Sequence, residues 1–161
     1  MNSLKHQVKR ISELLPKIVR NLRIARLIEG VKPGLTTSQL MVLLILKGTK
    51  KFPIPVGKLV QELAVSFPTV SGIVDRLYHE NLVERISSES DRRLVLLKLT
   101  EEGTKVIDKL QKALEQILIK VLRKMNPAEQ KAITEAAEKI FEFSLMLTTG
   151  ENKDLKSLEK P

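Results

Sequence analysis

At 161 residues, with 42% hydrophobic and 29% charged side chains, the chain has room for one compact domain or a small lobe joined to a helical one, and is neither disordered nor fibrous. It has no cysteine, which excludes disulfides, thiolate metal sites and thiol-based redox sensing; His6 and His79 remain as soft ligands, without carboxylates at ligand spacing, so no metal is expected. The net charge of +9 is uneven, with +5 in residues 1–31, +4 in residues 32–100 and 0 in residues 101–161, and a basic front suits either a polyanion partner or a lysine-rich solvated surface.

Residues 1–10 carry Lys5, Lys9 and Arg10 but no unbroken apolar run, so a secretory signal is not expected. From there Leu4, Val8, Ile11, Leu15, Ile18, Leu22 and Ala25 recur at alternating steps of four and three, the seam of a helix that seeks a partner. Pro16 falls inside this run and predicts a bend or break there, since it removes a backbone donor and crowds the preceding turn. Gly30 and Lys32-Pro33-Gly34 punctuate the end.

Thr36-Thr37-Ser38-Gln39 supplies capping residues for a short helix whose Leu40, Met41, Leu43, Leu44 and Leu46 are apolar on most sides and predict a central position in the core. This longest apolar stretch, Leu40 to Leu46, falls far short of the roughly 20 residues that cross a bilayer, and a cytoplasmic chain with no membrane partner is expected. Gly48 ends the helix. Pro53 and Pro55 bracket Ile54, which can form at most a brief edge strand. Val56 to Leu63 is a two-turn helix with Val56, Leu59, Val60 and Leu63 on one face.

Ala64-Val65-Ser66 makes a tight turn, and Ser66 is placed to cap a helix whose first turn holds Phe67 and Pro68 and whose core side is Val70, Ile73, Val74 and Leu77. Two short helices across a tight turn form a helix-turn-helix, whose second helix can enter a major groove. Away from its apolar stripe lie Thr69, Ser71, Gly72, Asp75 and Arg76, short or polar residues that permit close approach to base edges and phosphates; an ordinary solvated face is the alternative. Leu82–Ser87 and Leu94–Leu99 read as two strands around Ser88-Glu89-Ser90-Asp91-Arg92-Arg93. This tip is either a wing reaching a narrow, negative minor groove or a plain solvated hairpin turn.

Thr100-Glu101-Glu102 opens a long helix with a cap and two acids at the positive end of the dipole. Its stripe of Val106, Leu110, Ala113, Ile117 and Val121, widened by Ile107, Leu114, Leu118 and Leu122, calls for more than one neighbour. Asn126-Pro127-Ala128-Glu129 starts a last helix carrying Ile133, Ala136, Ala137, Ile140, Phe141, Phe143 and Leu147, with Gly150 beyond it. Residues 149–161 read as a polar tail.

In order and at close spacing, Ser66-Phe67-Pro68-Thr69-Val70-Ser71-Gly72-Ile73-Val74-Asp75-Arg76-Leu77, Asn81-Leu82-Val83-Glu84-Arg85, Asp91-Arg92-Arg93 and Leu97-Lys98-Leu99-Thr100-Glu101-Glu102-Gly103 resemble the MarR family of transcription regulators, over roughly residues 4–148. The resemblance implies a mainly α fold with a small β-wing: a dimerisation helix at 1–31, a winged helix-turn-helix lobe at 32–100 and dimerisation helices at 101–148. It also implies a homodimer on double-stranded DNA with a pseudo-palindromic operator, and in many relatives release by a small aromatic or phenolic ligand. The few aromatics of this chain disfavour a large flat ligand. No cofactor is implied.

Carried over residue by residue, Ser66, Thr69, Ser71, Gly72 and Arg76 are the DNA-binding candidates on the recognition helix, and Arg92 and Arg93 those of the wing, with Asp91 orienting a neighbouring arginine. Leu4, Val8, Ile11, Leu15, Ile18, Leu22, Ile133 and Ile140 are the dimerisation candidates; both the resemblance and the unpartnered seam call for a twofold partner. A basic architectural protein with little sequence preference is the alternative, separable by a steep salt slope without base discrimination. No phosphate loop, nucleophile elbow or HExxH motif supports an enzyme.

Overall fold

The computed structural model describes residues 2–49, 53–87 and 94–148. Among these, the order is α1 (Asn2–Asn21), α2 (Ile24–Val31), α3 (Thr37–Gly48), β1 (Ile54–Pro55), α4 (Val56–Leu63), α5 (Phe67–His79), β2 (Val83–Ser87), β3 (Val95–Leu99), α6 (Glu101–Leu122) and α7 (Pro127–Thr148). The architecture is mainly helical with one small antiparallel sheet.

The first helix does not break where proline predicts. α1 runs through Pro16, and the chain leaves the helix at Leu22–Arg23, where Arg23 N donates to Arg20 O at 3.1 Å and Arg23 takes a left-handed φ of 53°. One missing donor is tolerated inside a long helix; a positive φ ends it outright.

α3 is held at its start by a reciprocal cap, Gln39 N donating to Thr36 Oγ1 at 3.3 Å and Thr36 N donating to Gln39 Oε1 at 2.8 Å. Its Val42, Leu43 and Leu46 are fully buried, but Met41 and Leu44 lie exposed. The helix is therefore central on one side only, a correction to its uniformly apolar composition.

β1 and β2 flank β3 in the order β1-β3-β2, with Ile54 opposite Leu97, Val83 opposite Leu99 and Ser87 opposite Val95. The edge position explains why Pro55 is accommodated, since its missing N–H takes nothing from an inner ladder. Leu59, Val70, Val74, Leu77, Leu82, Leu97 and Ile107 close one aliphatic core together with α3.

The chain divides into two compact units at residues 115 and 116, inside α6. In the first, Val106, Ile107 and Leu110 of α6 join the core just described. In the second, Asn126 and Glu129 cap each other across the start of α7, and Gln130 Nε2 donates to Leu122 O at 3.0 Å and Met125 O at 3.1 Å, closing the preceding turn.

Candidate nucleic-acid interface

α4 ends at Ala64, whose left-handed φ of 52° turns the chain sharply enough for α5 to begin three residues later. Ser66 then caps α5: its Oγ accepts from Thr69 N at 3.4 Å and shares a hydrogen bond with Thr69 Oγ1 at 2.8 Å. Pro68 sits in the first turn, where no intrahelical donor is lost. Val70, Val74 and Leu77 anchor the underside, with Ile73 half-buried beside them.

That anchoring turns the opposite face outward. Ser66, Thr69, Gly72 and Arg76 are exposed and Ser71 is half-buried, so the structure places these five candidates on one helix and its cap. A Cβ built on Gly72 meets nothing within 4 Å, so the face is open at its centre. The wing candidates Asp91, Arg92 and Arg93 lie outside the described residues.

The structure adds side chains that the sequence analysis did not single out. Arg85, on β2, pairs with Asp75 of α5 and sets its guanidinium 5.4 Å from the centre of the Tyr78 ring. Asp75 is thus neutralised by a fixed partner instead of presenting a bare carboxylate beside Arg76. A cross-element ion pair leaves no periodic trace: by strand alternation Arg85 shares a face of β2 with the buried Val83 and lies opposite the buried Leu97, yet is itself exposed. Phe67, at the first turn of α5, is 58% exposed and lines a shallow groove of about 370 Å³ with Pro55, Ser71, Arg85 and Val95. Its signal was the placing of a large apolar residue directly after an N-cap.

Where β3 passes into α6, Thr100 joins the elements. Its Oγ1 donates to Asn81 O at 2.7 Å and accepts from Gly103 N at 2.9 Å, and its N–H donates to Leu82 O at 3.2 Å. Beside it Lys105 Nζ lies 2.7 Å from Glu101 Oε1; this hydrogen bond holds the carboxyl below its ordinary value and raises the lysine.

A second cavity, about 150 Å³, opens among α2, α3 and α6, lined by Ile24, Ile28, Leu40, Leu44, Ile107 and Leu110 with Gln111 as its polar group. Of the dimerisation candidates, Leu4, Val8, Ile11, Leu15 and Ile18 of α1 are exposed, as are Ile133 and Ile140 of α7, while Leu22 is half-buried. No cluster of three or more His, Asp or Glu side chains suited to a metal occurs among the described residues, and none of the helices described is long and apolar enough to cross a membrane.

An anchored recognition helix following a capped turn, with an antiparallel ribbon behind it, defines a winged helix-turn-helix protein. Residues 35–95 match the model of the MarR family. The chain is 29% identical over 136 residues to the HTH-type transcriptional regulator YfiV of Bacillus subtilis, covering 83% of this chain and 82% of that one. It is 31% identical over 105 residues to the HTH-type transcriptional repressor NicR of Pseudomonas putida, covering 65% of each. The crystal structure of RV1404 from Mycobacterium tuberculosis aligns with a TM-score of 0.74 and 27% identity over 84% of this chain and 92% of that one. Residues 35–95 thus carry a MarR-family domain, and over most of its length the chain is similar to DNA-binding transcription regulators, not to enzymes.

Proposed function

We propose that the chain acts in the cytoplasm as a homodimeric, sequence-specific repressor on a pseudo-palindromic operator, and that a small ligand releases it. One observation carries the reading: α5 lays Ser66, Thr69, Gly72 and Arg76 open on the side opposite its buried Val70, Val74 and Leu77. With α5 in a major groove, Thr69 and Ser71 address base edges while Ser66, Gly72 and Arg76 allow close approach and a phosphate or base contact. Arg92 and Arg93 reach the minor groove, oriented by Asp91, since a carboxylate facing phosphates would itself be repelled.

The dimer is supported by the exposed α1 seam, five large aliphatic side chains from Leu4 to Ile18 on one stripe, and by the exposed Ile133 and Ile140. A second copy would cover such faces by twofold symmetry. The repressor sense follows the name of NicR. The α2–α3–α6 cavity supports a compact, largely uncharged ligand, because its lining offers no cation to a carboxylate and its volume is that of a small ring.

Selection of DNA from a random library by the purified protein, at near-physiological salt, tests this. The expected product is a roughly palindromic motif with half-sites about ten base pairs apart. A retained but unenriched pool means an architectural protein instead, and no retention refutes both.

A further inference from the structure

Gln39 is 3% exposed, the one buried polar or charged side chain among the described residues. Its Oε1 accepts from Thr36 N at 2.8 Å and from Thr36 Oγ1 at 2.9 Å. With the oxygen so used, Nε2 is left as a donor, and it is given to Glu80 Oε1 at 3.2 Å, across 41 residues of sequence. The other oxygen of Glu80 lies 3.2 Å from Lys32 Nζ. Glu80 is the C-cap of α5 and Lys32 the C-cap of α2. One amide and one ion pair therefore join three helix ends: the last of α2, the first of α3 and the last of α5.

Capping alone does not require this residue. A glutamate at position 39 would accept from Thr36 N equally well and complete the same reciprocal cap. Of the two side chains that complete such a cap, only the amide can accept from Thr36 and also donate to a carboxylate. The side chain is thus matched to Glu80, not only to its own helix.

We propose that Gln39 is a positioning residue for DNA recognition: with Lys32 and Glu80 it pins the C-terminal end of α5 to the α2–α3 corner and sets the pitch at which α5 meets DNA. The role rests on the reading of α5 as the recognition helix. Beneath α5, Val70, Val74 and Leu77 make apolar contacts, which hold the helix down but are non-directional. The Gln39–Glu80–Lys32 chain has defined donors and acceptors, and so constrains rotation where the apolar underside does not. Base contacts depend on that rotation, whereas attraction to the phosphate backbone depends on it little.

The test compares Gln39→Glu, Glu80→Gln and the exchanged pair Gln39→Glu/Glu80→Gln in the full-length protein. Each is assayed on its selected DNA and on an unrelated duplex, at a temperature where circular dichroism shows the helices intact. Gln39→Glu keeps the cap but sets two carboxylates against each other, and is expected to cut the preference for selected over unrelated DNA by about ten-fold or more, with binding to the unrelated duplex unchanged. In the exchanged pair the carboxylate at position 39 accepts from Thr36 and from the new amide at position 80, whose oxygen accepts from Lys32, so most of the preference returns.

Unchanged preference in Gln39→Glu, an equal loss on both duplexes, or no recovery in the exchanged pair overturns the proposal. Should Gln39→Glu fail to fold, Glu80→Gln decides: reduced preference is expected, and wild-type preference overturns the role. A wild-type protein without preference for any sequence overturns the reading of α5 itself, an outcome distinct from wild-type preference that survives the substitutions.

Discussion

Replacing Gly103 by alanine should destabilise the fold although it replaces glycine by the best helix former. A Cβ at Gly103 would stand 2.0 Å from Leu82 O and 3.0 Å from Leu82 C, where ordinary contact begins near 3.4 Å, so backbone must retreat by about 1.4 Å. Retreat is opposed from both sides: Leu82 is fully buried and its carbonyl accepts from Thr100 N, while Gly103 N is tied to Thr100 Oγ1. Overpacking of this kind costs about 1–3 kcal/mol, and loosening the Thr100 hydrogen bonds adds about 1 kcal/mol. Helix propensity returns at most about 1 kcal/mol. The net expectation is a loss of about 1–3 kcal/mol, read as a lower urea midpoint by far-ultraviolet circular dichroism, with unchanged slope, at fixed protein concentration. A variant as stable as wild type, or more so, would refute the close approach of Leu82, just before β2, to α6.

Gly72→Ala should do the opposite, since its Cβ meets open space: stability rises by about 0.5–1 kcal/mol while binding to selected DNA weakens, and undiminished binding would remove Gly72 from the interface. Leu15→Arg, at an exposed position of the α1 seam, should yield monomers in sedimentation and with them lose operator binding; a persistent dimer refutes the seam's role. Arg93→Ala should lower the slope of log affinity against log salt by about one if it removes a phosphate contact, and an unchanged slope and affinity withdraw the assignment. Glu101→Gln addresses pH. Because Lys105 holds the Glu101 carboxyl below its ordinary value of 4.5, its contribution is present above that value and lost as pH falls through the lowered one. The stability gap between wild type and Glu101→Gln should therefore be constant near neutrality and close in acid; a gap that persists in acid contradicts the pairing.

Local chemistry was legible without a structure. The caps Thr36, Ser66 and Asn126 each act within three residues, through side chain to backbone hydrogen bonds, and mark the starts of α3, α5 and α7 where the sequence puts them. The two-turn α4 and the brief edge strand at Ile54 followed from spacing and from proline in the same way. The outward face of α5 was legible too, because helical period alone decides which residues lie opposite Val70, Val74 and Leu77.

Tertiary structure decided what depends on residues far apart in the chain. Pro16 announces a break, but the left-handed residue is Arg23, which no local signal distinguishes. The apolar residues of α6 look alike along its length; packing in this chain buries Val106, Ile107 and Leu110 and leaves Leu114 and Leu118 exposed. Asp75 reads as a surface acid until Arg85 is brought to it, and Gln39 as a capping residue until Glu80 arrives from 41 residues away. Periodicity and capping are properties of a few consecutive residues and so are carried by the sequence itself. Ion pairs, buried amides and a glycine forced by a neighbouring carbonyl belong to pairs of elements, and they exist only once the chain has folded.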